Sequence, residues 1–213
     1  MNLRLLAKKS LKSRRSTAML TMFSIAMSVA LLLGVEKVRV NAQSSFANTI
    51  SGTDLIVGAR SGSIQLLLYS VFRIGDATNN ISFKSYQDIA QQKGVKWTIP
   101  ISLGDSHRGF RVMGTSRDYF SVYQYGEKRT LEFAFGKQFE GVFDAVIGSE
   151  VANALNYAIG DKVIVSHGTG SASFAQHKDK PFIISGILKH TGTPVDRTLH
   201  VSLAGIEAMH VNW

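Results

Sequence analysis

The sequence predicts an α+β protein, with one N-terminal transmembrane helix followed by a mixed α/β domain on the far side of the membrane. Three observations carry this. Thr17 to Val35 (TAMLTMFSIAMSVALLLGV) runs 19 residues without a charge. Six basic residues and no acid precede it. Beyond it, short strand-like runs are interleaved with short helical ones, which is the pattern of an α+β domain.

At about 1.5 Å of rise per residue the apolar stretch spans roughly 28 Å, close to the ~30 Å hydrocarbon core of a bilayer. Its polar members are Thr and Ser, whose hydroxyls bond back to the preceding turn and so cost little in lipid. Arg4, Lys8, Lys9, Lys12, Arg14 and Arg15 lie before it; Glu36, Lys37 and Arg39 follow as a nearly balanced set. The positive-inside bias puts the N-terminus in the cytoplasm and everything after Val35 outside. A cleaved signal peptide is the competing reading, with Val40-Asn41-Ala42 as its cleavage site. Its apolar region would be longer than the usual ~7–15 residues, and charged Glu36–Arg39 would separate it from the site. The retained span is the favoured reading.

The overall charge of +9 does not indicate a nucleic-acid partner. Beyond the span, 18 basic residues face 15 acidic ones. The basic cluster is explained by topology and by attraction to anionic lipid heads, with Arg4, Lys8, Lys9, Arg14 and Arg15 as candidate membrane-interface anchors. Leu3–Leu11 is expected to lie along that interface as a short amphipathic helix. The chain has no cysteine, which excludes thiol catalysis and Cys-based metal sites and is compatible with an exported domain.

Past the span, apolar residues from Val38 to Ile50 at helical spacing predict that the helix continues outward until Gly52. Asp54–Val57 reads as a buried strand between Gly52 and Gly58. Ser63–Ile74 (SIQLLLYSVFRI) is too short to cross a bilayer. A core helix is the favoured reading. The sharper one is an apolar surface facing lipid or a neighbouring chain, with Leu66, Leu67, Tyr69 and Phe72 as candidate partner or substrate contacts. Ser85 with Asp88 predicts a capped helix over 86–92. Strands are expected at Val95–Ile99 and Gly109–Gly114, a helical turn from Asp118, and a loop or irregular hairpin from Gly126 to Phe139. Asp144–Gly148 reads as a strand, with Ser149 capping a helix through Leu155. Gly160-Asp161 turns into a strand at Lys162–His167, and Gly168–Lys180 is a hairpin-like excursion. Strands at Phe182–Leu188 and Asp196–Val201 precede a last helix, Leu203–His210, capped by Ser202.

The chemistry looked for is missing. There is no GxxxxGK[ST] phosphate loop, and Gly168-Thr-Gly170 lacks both the lysine and the helix that such a loop needs. Gly148-Ser149-Glu150 is not a nucleophile elbow. The six histidines are scattered, and only His167 and His177 could meet across a hairpin. No enzyme activity, cofactor or metal is expected.

Three stretches carry a family resemblance. They are Asp54–Ser82 after the membrane helix, Ala145–Gly168 (AVIGSEVANALNYAIGDKVIVSHG), and Phe182–His210 with its Gly192-Thr-Pro-Val-Asp-Arg197 run. Together they resemble the outer-domain segments of FtsX-like ABC transporter permeases, the superfamily of macrolide-exporter and lipoprotein-release permeases, and the resemblance covers essentially the whole chain. It implies a permease subunit of four membrane helices with a large periplasmic domain between the first two. It also implies a homodimer or permease pair, a separate cytoplasmic ABC ATPase as partner, and placement in the bacterial inner membrane. Hydrolysis would move the outer domains to export or extract a periplasmic or lipid-linked substrate. On this reading residues 1–16 are a cytoplasmic basic segment, 17–35 the transmembrane helix, and 36–213 a periplasmic core domain expected to be incomplete, since no further span follows. Two rivals remain. One is a single-span membrane-anchored periplasmic adaptor; the other is a regulator of cell-wall hydrolases that docks its partner on Ser63–Ile74.

Overall fold

The computed structural model describes residues 13–49, 51–75, 79–168 and 180–210. It divides into two units, residues 1–46 and residues 47–213. The first is dominated by helix α1 (Arg15–Thr49), whose 35 residues extend for about 52 Å. Within α1, Arg15–Asn41 is long and apolar enough to cross a membrane, and none of its hydropathic window is buried by protein. Thr21 Oγ1 donates to Thr17 O and Ser28 Oγ to Ser24 O, both at 2.9 Å, as expected for hydroxyls that must find partners without water. The helix runs unbroken past the predicted span, as the helical spacing beyond Val38 implied. The interfacial segment Leu3–Leu11, with Arg4, Lys8 and Lys9, lies outside the described residues. Arg14 and Arg15 open the described helix and are exposed.

The second unit is built on an eight-stranded mixed sheet. In chain order its strands are β1 (Ser102–His107), β2 (Phe110–Thr115), β5 (Phe133–Gly136), β6 (Asp144–Ile147), β7 (Lys162–Val163), β8 (Ser166–His167), β9 (Phe182–Leu188) and β10 (Thr198–Ser202). The spatial order is β5-β9-β6-β10-β2-β1-β8, with β7 also paired to β9. A separate ribbon joins β3 (Gln124–Tyr125) and β4 (Arg129–Thr130). β10 occupies the centre, parallel to β2 and antiparallel to β6.

Side chains alternate across a strand, so one sheet serves two cores. Val112, Ala145, Ile147, Ile184, Leu199 and Val201 point to one face. There they meet Val151 and Ala152 of α5 (Ser149–Leu155) and Met209 of α6 (Leu203–His210). Met113, Val146 and Leu188 point to the other face, against Tyr119 and Phe120 of α4 (Tyr119–Val122), Phe139 and Val195. With both faces covered, β10 buries four of its five residues.

Several expectations need correction. Asp54–Val57 forms no strand; Leu55 is 77% exposed, and the isolated bridge nearby, among the described residues, pairs Ser51 with Gln124. Ser63–Ile74 is not a core helix. Its helical part, α2 (Ser63–Ser70), buries no residue, and burial begins only at Val71 and Arg73. Helix α3 is Phe83–Ala90, capped by Ser82, whose hydroxyl accepts from Ser85 N at 3.1 Å; Ser85 is the capped residue, not the cap. Val95–Ile99 is irregular, and the strand starts after Pro100 at Ser102. Ser149 does not cap α5. Gly148 occupies the cap, where a Cβ would meet Val195 O at 2.2 Å. Lys162–His167 splits into β7 and β8. Asp196 lies in a 3-10 turn, Pro194–Arg197, ahead of β10. The expected cap of the last helix is present, with Gly205 N donating to Ser202 Oγ at 2.9 Å. The excursion at 169–179, with His177, lies outside the described residues.

Candidate functional site

The second unit carries a half-enclosed cleft of about 270 Å³. It lies on the face that Tyr119 covers. Its walls come from segments the sequence did not bring together: the irregular run 53–59, helix α2, helix α3 and the extended 97–101. Side-chain hydrogen bonds tie α2 and the 97–101 run to the sheet and the end of α1 to Tyr123. Tyr69 Oη donates to Leu103 O. Thr115 Oγ1 donates to Pro100 O at 2.8 Å, and Tyr123 Oη to Thr49 O at 2.6 Å. These bonds let apolar segments stand off the core and leave space between them, instead of collapsing onto it.

The lining is mainly apolar and aromatic, and among the described residues Arg73 is its only charged member. Helix α2 ends with both Phe72 N and Ile74 N directed to Leu68 O. This leaves Arg73 between them at φ +60°, a left-handed conformation that usually falls to Gly or Asn. The turn folds its side chain back beneath the helix, where Nη1 donates to Ser70 O. Arg73 is only 9% exposed, and its Nε has no hydrogen-bond partner.

Around this cation sits an aromatic and polar cluster. The Tyr119 ring stacks on His200 at 5.2 Å and lies 4.9 Å from Tyr123. Tyr119 is fully buried, and its hydroxyl interacts with the Arg73 side chain. Burial raises its pKa, the neighbouring Tyr123 adds to the rise, and Arg73 opposes it. Burial also raises Tyr123, again against Arg73. His200 is pushed down to about 3, first by burial and then by the Arg73 charge, so its ring is neutral. Its Nδ1 lies 3.2 Å from Val146 O, whereas Nε2 is unpartnered. On the opposite side of the sheet His107 is likewise lowered by burial, and bonds to Ile164 O and Tyr157 Oη explain its position structurally.

Of the residues singled out in the sequence, Leu66 and Tyr69 line the cleft; Leu67 and Phe72 are half-buried outside its lining. Arg73, Tyr119, Tyr123 and His200 were missed. A signal existed for two of them. Arg73 is the lone charge in an apolar run, and His200 alternates with Leu199 and Val201, which puts it on the other buried face.

Among the described residues one trio, Glu150, His190 and Asp196, brings potential metal ligands within 4.8 Å. Its geometry is that of a hydrogen-bonded turn. The buried Asp196 carboxylate accepts from Thr191 N, Gly192 N and Thr191 Oγ1 and lies 3.0 Å from His190 Nδ1. Arg197 holds Glu150 at 2.9 Å. With its acceptor positions used, Asp196 knits the Gly192–Arg197 run together.

No curated protein matches the chain. Among solved structures, the extracellular domain of the ABC-type transporter YknZ from Gram-positive bacteria is similar, with 14% identity and a TM-score of 0.41. The match covers 60% of this chain and 65% of that one, so the chain spans less than two thirds of that structure. The model of the MacB-like periplasmic core domain matches residues 18–211, which include most of α1 and the whole described sheet, and the chain belongs to that family of ABC-type permease domains.

Proposed function

We propose that the chain is part of the permease subunit of an ABC-type transporter complex. The N-terminal segment is cytoplasmic, α1 crosses the bacterial inner membrane, and the sheet domain stands in the periplasm. A separate cytoplasmic ATPase hydrolyses ATP, and the permease, working as a pair, converts this into motion of the periplasmic domains that exports or extracts a periplasmic or lipid-linked substrate. The chain itself is not an enzyme. The observation that carries this reading is the family match from residue 18 to residue 211, which joins the apolar helix and the domain in one unit. The basic flank before α1 supports the orientation.

The test is affinity purification of the protein from its native membranes in mild detergent, with ATPase activity assayed on the eluate. Co-purification of an ATPase whose turnover changes with the permease is the expected result. An eluate free of ATPase under conditions that preserve known ABC complexes would refute the transporter reading. A tethered binding domain would then be the better account, and the cleft is the observation that favours that second reading.

A further inference from the structure

We infer that the Arg73 cleft is a binding site for a small apolar anion, a molecule carrying one carboxylate or phosphate group on a compact aliphatic or aromatic body. The inference concerns residues 47–213 alone and does not depend on the transport reading.

Three observations converge on this ligand. The first is charge. Among the described residues Arg73 is the only charged one that lines the cleft. Its Nη1 donates to Ser70 O, a neutral acceptor. A guanidinium held out of water without a counter-ion is costly, and a long cationic side chain normally extends to solvent. Here the left-handed turn at φ +60° directs it inward instead.

The second is unused donor capacity. Arg73 Nε is buried without a hydrogen-bond partner, and Tyr119, whose hydroxyl interacts with the Arg73 side chain, lines the same cleft. A carboxylate or phosphate accepts from a guanidinium fork and a hydroxyl together. The third is the remaining surface. Leu66, Tyr69, Trp97 and Ile99 line the cleft as well, so the body of the ligand must be apolar and suited to aromatic contact. A volume of about 270 Å³ holds roughly nine groups the size of a water molecule, which sets the scale of the ligand.

The test uses the full chain in lipid nanodiscs with Trp213→Phe, so that Trp97 is the sole tryptophan. The probes are 4-phenylbutyrate and 3-phenylpropyl phosphate, with 4-phenylbutanol and 4-phenylbutylammonium as controls and empty nanodiscs to measure partitioning. Trp97 fluorescence should respond saturably to the anions, with at least about tenfold tighter binding than the alcohol and no response to the ammonium. The ratio between the two anions identifies the preferred head group. In Arg73→Gln the anions should bind at least about tenfold more weakly. Equal affinity for alcohol and anion, or unchanged binding in Arg73→Gln, would overturn the inference. If Arg73→Gln loses its near-ultraviolet circular dichroism, Ala59→Phe decides, because it fills the cleft without touching the charge. Undiminished anion binding in that variant also overturns it.

Discussion

Acid should weaken the sheet domain through one identifiable group. His200 is fully buried, stacked on Tyr119 and near Arg73, and its native pKa lies at about 3. In the unfolded chain a histidine titrates near 6.5. Between those values the unfolded chain takes up a proton that the native state refuses. Stability therefore falls with falling pH, by about 1.4 kcal/mol per unit once the pH is well below 6.5. From pH 7 to pH 5 the loss from His200 alone is about 2 kcal/mol. The comparison is with His200→Leu, which keeps much of the volume and removes both the proton site and the unpartnered Nε2. Urea unfolding of the nanodisc-held chain, followed by near-ultraviolet circular dichroism, should show the parent losing about 2 kcal/mol more than the variant over that interval. His107, also lowered by burial, and the Glu132–Lys189 pair titrate equally in both proteins and cancel. Equal losses in parent and variant would refute the reasoning, since the native state would then accept the proton.

Other outcomes follow from the same geometry. Ser202→Ala should cost about 1 kcal/mol by removing the α6 cap, whereas Ser149→Ala should be nearly neutral, because the α5 cap is Gly148. Paired thermal melts check this, and equal effects would contradict the assignment. Gly148→Ala should destabilise by about 1–3 kcal/mol, because its Cβ would meet Val195 O at 2.2 Å and Asp196 O at 2.4 Å; an unchanged melting temperature would show that the turn relaxes freely. Val29→Arg places a charge near the middle of Arg15–Asn41 and should cost about 2.5–3.5 kcal/mol of membrane insertion. Carbonate extraction reads this as protein released from the membrane, and full retention would argue against a spanning helix.

The elements legible in the sequence were those whose local pattern and tertiary role agree. Phe182–Leu188 and Asp144–Ile147 are rich in apolar and β-branched residues, most of them buried, and they form strands β9 and β6. The Ser202 cap depends on a bond three residues away and was equally readable. Asp54–Val57 misled because its apolar residues looked like a buried strand, yet no strand partner reaches it and its side chains wall a cleft instead. Ser149 misled because cap preference is statistical, whereas the backbone of the 3-10 turn leaves room only for glycine at the cap. The cleft was illegible for a different reason. Arg73, Trp97 and Tyr119 come from separate segments, and only the assembled sheet sets them around one space.

The position of β10 has a consequence for biogenesis. Residues 198–202 fill the central slot between β2, at 110–115, and β6, at 144–147. A chain delivered across a membrane from its N-terminal helix onward presents both neighbours long before their shared partner emerges. Until then two apolar strand edges stand open, and neither core can close. For a chain delivered in this way the most hazardous interval comes late, when nearly all of its sheet exists without its keystone. Substitutions that slow the arrival or docking of Thr198–Ser202 should reveal themselves as aggregation or degradation of new chains, even where the mature domain is stable.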